Sequence, residues 1–141
     1  MLSTDKDTQQ DAAGGVRPVV LLVDDCADTR TLYAEYLDLA GFVVKEASDG
    51  LAALAEAAST IPDVVVLDLG LPGVGGREAA ARLKADPRTR SVPVIVVSGF
   101  DRDHVERGQG EHPWDHYVGK PCAPEDLVRT IAELLALRAA E

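Results

Sequence analysis

Basic residues are scarce in this chain of 141 residues: 14 Lys and Arg stand against 24 Asp and Glu. The formal net charge is −10 at neutral pH. This charge would repel a nucleic-acid backbone, and no basic stripe in the sequence offsets it. We therefore expect no direct binding to nucleic acid.

Long hydrophobic runs are missing as well. The first residues contain no apolar segment of the kind found in a signal peptide, and no later run approaches the length of a helix that spans a bilayer. We expect a cytoplasmic protein without a membrane association.

Cysteine is nearly absent, since only Cys26 and Cys122 occur. Two thiols without zinc-type spacing form neither a metal site of that type nor the disulfide framework of a secreted domain. A structural role as small apolar fillers is favoured over a redox role. Aromatic residues are also few, and Ala, Val and Leu dominate instead, which is typical of helices packed on an aliphatic sheet.

Short apolar segments alternate with helical patterns from Arg17 onward. Residues 1–16 are polar and without periodicity, so we expect a flexible leader followed by one domain over residues 17–141. Strands are predicted at Val19–Val23, Phe42–Ala47, Val64–Asp68, Val92–Val97 and around Tyr117. Three continuous apolar strands and two weak ones predict an α/β fold with a doubly wound, five-stranded parallel sheet in the order 2-1-3-4-5.

The helices between these strands are predicted from apolar spacing. The first should end at Gly41, the second should be capped by Ser48, and the third should run to about Ala85. The predicted buried faces are, in chain order, Leu32, Tyr36, Leu39 and Ala40; then Leu51, Leu54, Ala55 and Ala58; and in a last helix opening at Pro124, Leu127, Val128, Ile131, Leu134 and Leu135. Gly108, Gly110 and Pro113 predict a short or irregular fourth helix after the fourth strand.

Polar side chains follow four of the predicted strands. Asp24 and Asp25 come after the first strand, Asp68 closes the third, Ser98 ends the fourth, and Lys120 follows the fifth. Because the carboxyl ends of parallel strands meet at one edge of a sheet, these side chains should lie close together.

Such a cluster suggests chemistry on phosphorus. Three carboxylates at one edge repel each other unless they bind a cation or protons, and Mg²⁺ prefers oxygen ligands of this kind. Asp25 and Asp68 could ligate it directly, Asp24 through water, and Gly70 through its backbone carbonyl. Asp68 could also act as a nucleophile and form an aspartyl phosphate, with Lys120 and Ser98 interacting with the phosphoryl oxygens.

Each of these residues has an ordinary structural explanation when taken alone. Asp24 or Asp25 could be a helix cap, Lys120 a surface lysine and Ser98 a turn residue. Their joint placement at four strand ends favours a functional site over coincidence.

These residues, with their intervals, resemble the receiver domain of two-component response regulators across about residues 17 to 140. The matching pieces are Asp24-Asp25, Asp68 with Leu71-Pro72-Gly73 and Gly76, Ser98-Gly99, Tyr117, and Lys120-Pro121. The resemblance implies a flavodoxin-like fold with a cis bond before Pro121. It also implies that Asp68 is the phosphoacceptor, that Asp24, Asp25 and Asp68 bind Mg²⁺, that Lys120 pairs with the phosphoryl group, and that Ser98 and Tyr117 form the switch.

The implied function is that of a stand-alone response regulator rather than an enzyme. A histidine kinase or histidine phosphotransfer protein would phosphorylate Asp68, and the change around the fourth helix, the fifth strand and the last helix would alter binding to a downstream protein target. One alternative is a receiver-like adaptor that works without phosphorylation. Another is a phosphatase of the haloacid dehalogenase type, in which a second Asp would be expected where Gly70 stands.

Three residues depart from what is common in the family: His112, Trp114 and His116. Core packing is favoured for Trp114 over a role as a partner anchor. His112 and His116 with Cys122 would make an incomplete zinc site, because no fourth ligand is evident.

Overall fold

The computed structural model describes residues 17–71, 73–99 and 113–139 of the chain. In these residues strands and helices follow each other as β1 (Val19–Val23), α1 (Ala27–Leu39), β2 (Val43–Ala47), α2 (Gly50–Ser59), β3 (Val64–Asp68), α3 (Gly76–Ala85), β4 (Val94–Ser98), β5 (His116–Gly119) and α4 (Pro124–Ala139). The expected leader and the expected irregular helix after β4 both lie outside the described residues, as does His112.

The five strands form one parallel sheet in the order β2-β1-β3-β4-β5, which confirms the predicted topology. The register places Val23 beside both Ala47 and Leu67, Asp68 beside Val97, and Ser98 beside Gly119. The carboxyl ends of the strands are therefore nearly level, and the residues that follow them share one edge.

The three central strands are buried along their whole length, whereas β2 and β5 at the two edges are partly exposed. Alternate residues of the central strands enter two separate apolar clusters, one on each face of the sheet. This double coverage explains why these strands are continuous apolar runs. The strand bounds differ slightly from the prediction, since β2 begins at Val43 and β4 spans Val94–Ser98.

The predicted buried face of α1 is wrong. Tyr33 and Leu37 are the buried residues of this helix, and Leu39 is 84% exposed. Tyr33 and Leu37 pack in one cluster with residues of α4. Two apolar stripes at helical spacing coexist in α1, and only tertiary packing decides which of them faces the sheet. Gly41 ends the α1 turn with a φ of 102°, as predicted.

The predicted cap of α2 is wrong, and of its predicted face only Leu54 packs, partly buried, against the core. Its buried residues are Gly50, Ala53 and Ala57, whereas Leu51 is 61% exposed. A Cβ atom on Gly50 would lie 2.3 Å from the carbonyl oxygen of Val74, so the helix approaches its neighbour too closely for large side chains. Asp49, not Ser48, caps α2 by accepting a hydrogen bond from the backbone N–H of Ala52 at 2.8 Å.

The remaining helices follow the prediction. The α3 helix ends at Ala85, and α4 buries Leu127 and Ile131 with Val128, Leu134 and Leu135 partly buried beside them. Trp114 is buried in the core, where the Arg77 guanidinium lies 4.9 Å from its ring centroid. None of the helices in the described ranges is long and apolar enough to cross a membrane.

Candidate functional site

Three carboxylates converge at the carboxyl edge of the sheet. Asp24, Asp25 and Asp68 can each present an oxygen such that the three atoms lie within 4.8 Å of one another. Asp24 and Asp68 are buried, whereas Asp25 is exposed. The cluster therefore consists of two buried carboxylates and one carboxylate that is exposed to solvent.

The Asp24 side chain is fixed by the turn that follows β1. Its Oδ1 accepts a hydrogen bond from the backbone N–H of Cys26 at 2.8 Å, and its own N–H donates to the carbonyl of Ala47 at 3.1 Å. Burial raises the pKa of Asp24; the negative charges of Asp68 and Asp25 add to this, while the Cys26 N–H and Lys120 oppose it. The ionised form is thus held in an unfavourable position that a cation would relieve.

Asp68 is held from two sides. Lys120 Nζ lies 3.0 Å from Asp68 Oδ2, and the Gly70 N–H donates to Asp68 Oδ1 at 2.9 Å. Gly76, the first residue of α3, lies against the backbone here, since a Cβ atom on it would lie 2.4 Å from the carbonyl oxygen of Asp68. The glycine lets α3 begin directly beside the strand end.

Lys120 is bonded to the acidic cluster and to the neighbouring strand. Burial lowers the pKa of Lys120, but the hydrogen bond and charge of Asp68, with the charge of Asp24, outweigh it and leave the pKa raised. Its backbone N–H donates to the carbonyl of Ser98 at 2.8 Å. Lys120 is therefore a stable ammonium group. The Lys120–Pro121 bond is cis, as predicted.

Ser98 and Tyr117 lie around this group. Ser98 is buried at the end of β4, opposite Gly119 of β5. Tyr117 packs half-buried against the apolar cluster, and within the described residues its hydroxyl has no hydrogen-bond partner. The structure thus brings Asp24, Asp25, Asp68 and Lys120 together, with Ser98 joined to Lys120 through the backbone, whereas Tyr117 packs against the apolar cluster near Gly119.

The donor set fits a hard divalent cation. Carboxylate oxygens are the ligands that Mg²⁺ prefers, and one or two carboxylates with water complete most such sites. Gly70 lies next to them, because a Cβ atom on it would be 3.5 Å from Asp68 Oδ1. The proposed contribution of its carbonyl stays a prediction.

Two residues of α1 that sequence reasoning missed also contact this edge. Arg30 Nη1 donates to the carbonyl of Asp24 at 2.7 Å, and the Tyr33 hydroxyl donates to the carbonyl of Cys122 at 2.7 Å. Both belong to the helix face that was wrongly assigned. The apolar pair Tyr33 and Leu37, four residues apart, could have predicted this buried face. Arg30 lies on the same face, three residues before Tyr33.

The two cysteines do not share one environment. Cys26 is exposed, so its interpretation as a small apolar filler is wrong, and its Sγ accepts a hydrogen bond from the Thr29 hydroxyl at 3.3 Å. Cys122 is partly buried and packs against the apolar cluster between α1 and α4, as a small filler would.

Comparison with known proteins agrees with this geometry. The sequence profile of the family described as "Response regulator receiver domain" matches residues 20–132. Protein PilH of Pseudomonas aeruginosa is 32% identical over 117 residues, which is 83% of this chain and 97% of PilH. The chemotaxis response regulator CheY4 of Vibrio cholerae has a similar structure, with a TM-score of 0.78, 25% identity, and coverage of 84% of this chain and 98% of CheY4.

Other relatives are longer than this chain. The phosphate regulon transcriptional regulatory protein PhoB of Pseudomonas aeruginosa is 34% identical over 120 residues, which is 85% of this chain but 52% of PhoB. The chain thus spans about half the length of that curated relative, as it does for the transcriptional regulator RpaA of Synechocystis, where the share is 49%.

Proposed function

This chain belongs to the family of response regulator receiver domains, and we propose that it accepts a phosphoryl group on Asp68 from a histidine kinase or a histidine phosphotransfer protein. Receiver domains are signalling domains and generally not enzymes. The observation that carries the proposal is the placement of Asp68 between the ammonium group of Lys120, at 3.0 Å, and the carboxylates of Asp24 and Asp25.

The chemistry requires a nucleophile and compensation of charge. A carboxylate oxygen of Asp68 attacks the phosphorus of a phosphohistidine, a P–O bond forms, and the P–N bond breaks with its electron pair left on the imidazole nitrogen. Lys120 is already paired with Asp68 and can move its ammonium group to a phosphoryl oxygen. Ser98, buried at the end of β4, can donate a hydrogen bond to another.

Asp24, Asp25, Asp68 and the carbonyl of Gly70 would hold Mg²⁺ in this site. Bound there, the ion supplies positive charge beside the phosphoryl oxygens. Asp25 and Asp68 would ligate directly, and Asp24, whose Oδ1 already accepts the Cys26 N–H, would act through a water molecule. The raised pKa of Asp24 supports a cation as its natural partner.

Phosphorylation would then change the surface near β5. The added charge draws Ser98 toward the phosphoryl group, and Tyr117 turns into the space that this movement leaves. The Tyr117 ring lies beside Gly119, where a Cβ atom would be 3.8 Å from Tyr117 Cε1, and within the described ranges no hydrogen bond holds its hydroxyl. A downstream protein target would recognise the altered surface of β5 and α4.

Incubation with acetyl phosphate and Mg²⁺ tests the proposal by intact-mass analysis. The wild-type protein should gain one phosphoryl group, and D68N should gain none. Loss of the gain after chelation of Mg²⁺ would support the role of the cation. A wild-type protein that stays unmodified, or a D68N variant that is modified equally, would refute the proposal.

A further inference from the structure

The helix α1 carries two side chains that reach opposite sides of the site. Arg30 and Tyr33 are one turn apart, and the exposed fractions are 19% for the Arg30 side chain and 8% for Tyr33. We propose that α1 positions both halves of the site: Arg30 holds the loop that carries Asp24 and Asp25, and Tyr33 holds the segment that follows Lys120. This inference rests on the proposed function and goes beyond it, since neither residue belongs to the acidic cluster or to its lysine.

Arg30 joins the loop after β1 to the edge strand β2. Its Nη1 donates to the carbonyl oxygen of Asp24 at 2.7 Å, and its Nε donates to Glu46 Oε1 at 2.9 Å. The backbone of Glu46 is paired with Leu22 in the sheet, so its exposed side chain extends from an ordered strand. Both bonds use the planar fork of the guanidinium group, which has little freedom once two partners are engaged.

The bond to Asp24 fixes the peptide that links the two acids. The carbonyl of Asp24 belongs to the planar peptide group between Asp24 and Asp25. Its orientation therefore helps to set the direction of the Asp25 side chain. Asp25 is exposed, so solvent rather than packing surrounds its carboxylate. Arg30 therefore positions Asp25, the carboxylate of the cluster that packing restrains least.

Tyr33 performs the equivalent task for the lysine. Its hydroxyl donates to the carbonyl of Cys122 at 2.7 Å across 89 positions of sequence. On the other side, the N–H of Lys120 donates to the carbonyl of Ser98 at 2.8 Å. The segment from Lys120 to Cys122 is thus held between β4 and α1, which keeps the ammonium group within reach of Asp68. Burial raises the pKa of Tyr33, so the hydroxyl remains a donor at neutral pH.

The two possible effects of Arg30 on a cation have opposite signs. As a mere positive charge beside the cluster, Arg30 would repel Mg²⁺, and its removal would tighten binding. As a positioning residue, it keeps the ligands in place, and its removal would weaken binding. Measured Mg²⁺ affinity therefore distinguishes the two roles.

The test for Arg30 is calorimetric titration of Mg²⁺ into the metal-free protein and its variants. We expect R30Q, and R30K, which keeps the charge but not the fork, to bind Mg²⁺ about tenfold more weakly. E46Q should weaken binding in the same direction, because it loosens the Glu46 contact while Arg30 remains. Mg²⁺ binding by a folded R30Q or R30K that is as tight as in the wild type, or tighter, would overturn the role of Arg30. If neither variant folds, wild-type or tighter Mg²⁺ binding by E46Q would overturn it.

Arg17 offers the matched control. It also donates to two backbone carbonyls, those of Gly41 at 2.9 Å and Phe42 at 2.8 Å. These contacts lie at the amino ends of the strands, away from the acidic cluster. R17Q loses bonds of the same kind and should retain wild-type Mg²⁺ affinity. An R17Q variant that is weakened as much as R30Q would show a general loss of structure and would overturn the inference.

The test for Tyr33 removes only its hydroxyl. We expect Y33F to keep the wild-type affinity for Mg²⁺ but to bind beryllofluoride, a phosphoryl mimic, roughly tenfold more weakly at saturating Mg²⁺, because Lys120 is displaced. Y36F is the control, since Tyr36 is 36% exposed on the same helix. Wild-type binding of beryllofluoride by Y33F, or loss of its Mg²⁺ affinity, would overturn the role of Tyr33.

These outcomes are separate from the fate of the proposed function. If the wild-type protein binds neither Mg²⁺ nor beryllofluoride, the proposed function fails. If the wild-type protein binds both and the α1 variants behave identically to it, only the positioning role fails.

Discussion

At the scale of single residues, the central contact is the one between Lys120 and Asp68. A lysine at the surface usually contributes little through an ion pair, but this one contacts a buried carboxylate that lies in a cluster with two further acids. Its raised pKa keeps it charged, so under the proposed function it could follow the phosphoryl group.

Replacing Lys120 should therefore slow phosphorylation rather than unfold the protein. We expect K120M to react with acetyl phosphate about 100-fold more slowly at saturating Mg²⁺, since one charged donor to the transferring group is lost. The rate can be followed by intact mass. K45M, on the partly exposed edge strand β2, should react at the wild-type rate. A K120M variant as fast as the wild type would contradict the assigned role.

The raised pKa of Asp24 should make the stability of the folded protein depend on pH. Because the folded state raises this pKa, the folded protein binds the Asp24 proton more tightly than the unfolded chain does. The stabilisation of the folded state by this tighter proton binding is complete below the unfolded pKa of about 3.9. It is lost as the pH rises through the folded pKa. In metal-free protein at neutral pH, D24N should therefore raise the melting temperature, since Asn is neutral and can still accept the Cys26 hydrogen bond.

Thermal melts of D24N and wild type across pH check this prediction. The advantage of D24N should shrink as the pH falls and Asp24 of the wild type becomes protonated. Addition of Mg²⁺ should also reduce it, because the ion stabilises the ionised wild-type cluster. A D24N variant that is less stable than the wild type at neutral pH without metal would contradict the electrostatic account.

At the scale of elements, strands were easier to predict than helix faces. The buried strands β1, β3 and β4 are recognisable because each is a continuous apolar run that ends in a polar residue, an acid after β1 and in β3 and a serine in β4. The faces of α1 and α2 were misjudged because each helix has apolar residues on two sides. In α2 the space beside Val74 selects small residues, and hydrophobicity alone cannot reveal that space.

The close start of α3 gives a prediction at this scale. G76A should destabilise the protein by about 1–3 kcal/mol, because the added Cβ atom would lie 2.4 Å from the carbonyl oxygen of Asp68. G75A is the matched control, since nothing lies within 4 Å of a Cβ atom there and Gly75 has a φ of −70°. Urea unfolding measures both variants. Equal destabilisation by G75A would contradict this explanation.

At the scale of the whole molecule, the topology brings distant residues to one edge of the sheet. The order of strands and the convergence of acids followed from the sequence, because crossover handedness leaves few arrangements. The contributions of Arg30 and Tyr33 did not follow, because they depend on which side of α1 faces the sheet. The expected irregular fourth helix lies outside the described residues, and the expected lack of nucleic-acid binding stays a prediction from net charge.

Metal binding should stabilise the whole fold, since the proposed ligands come from β3 and the loop after β1. At Mg²⁺ concentrations near 100 times the dissociation constant, the free energy of unfolding should rise by about 2.7 kcal/mol. D25N, which removes the negative charge of one proposed ligand, should show a smaller rise at the same concentration. Denaturant unfolding with and without Mg²⁺ measures the effect. An identical rise in D25N would exclude Asp25 as a ligand.

Phosphorylation of Asp68 can be tested by locating the phosphoryl group in the chain. Borohydride reduces an aspartyl phosphate to homoserine, so peptide mass spectrometry after reaction with a phosphodonor identifies the modified residue. We expect homoserine at position 68 and at no other Asp. Modification at Asp24 or Asp25, or none at position 68 in protein that has gained a phosphoryl group, would contradict it.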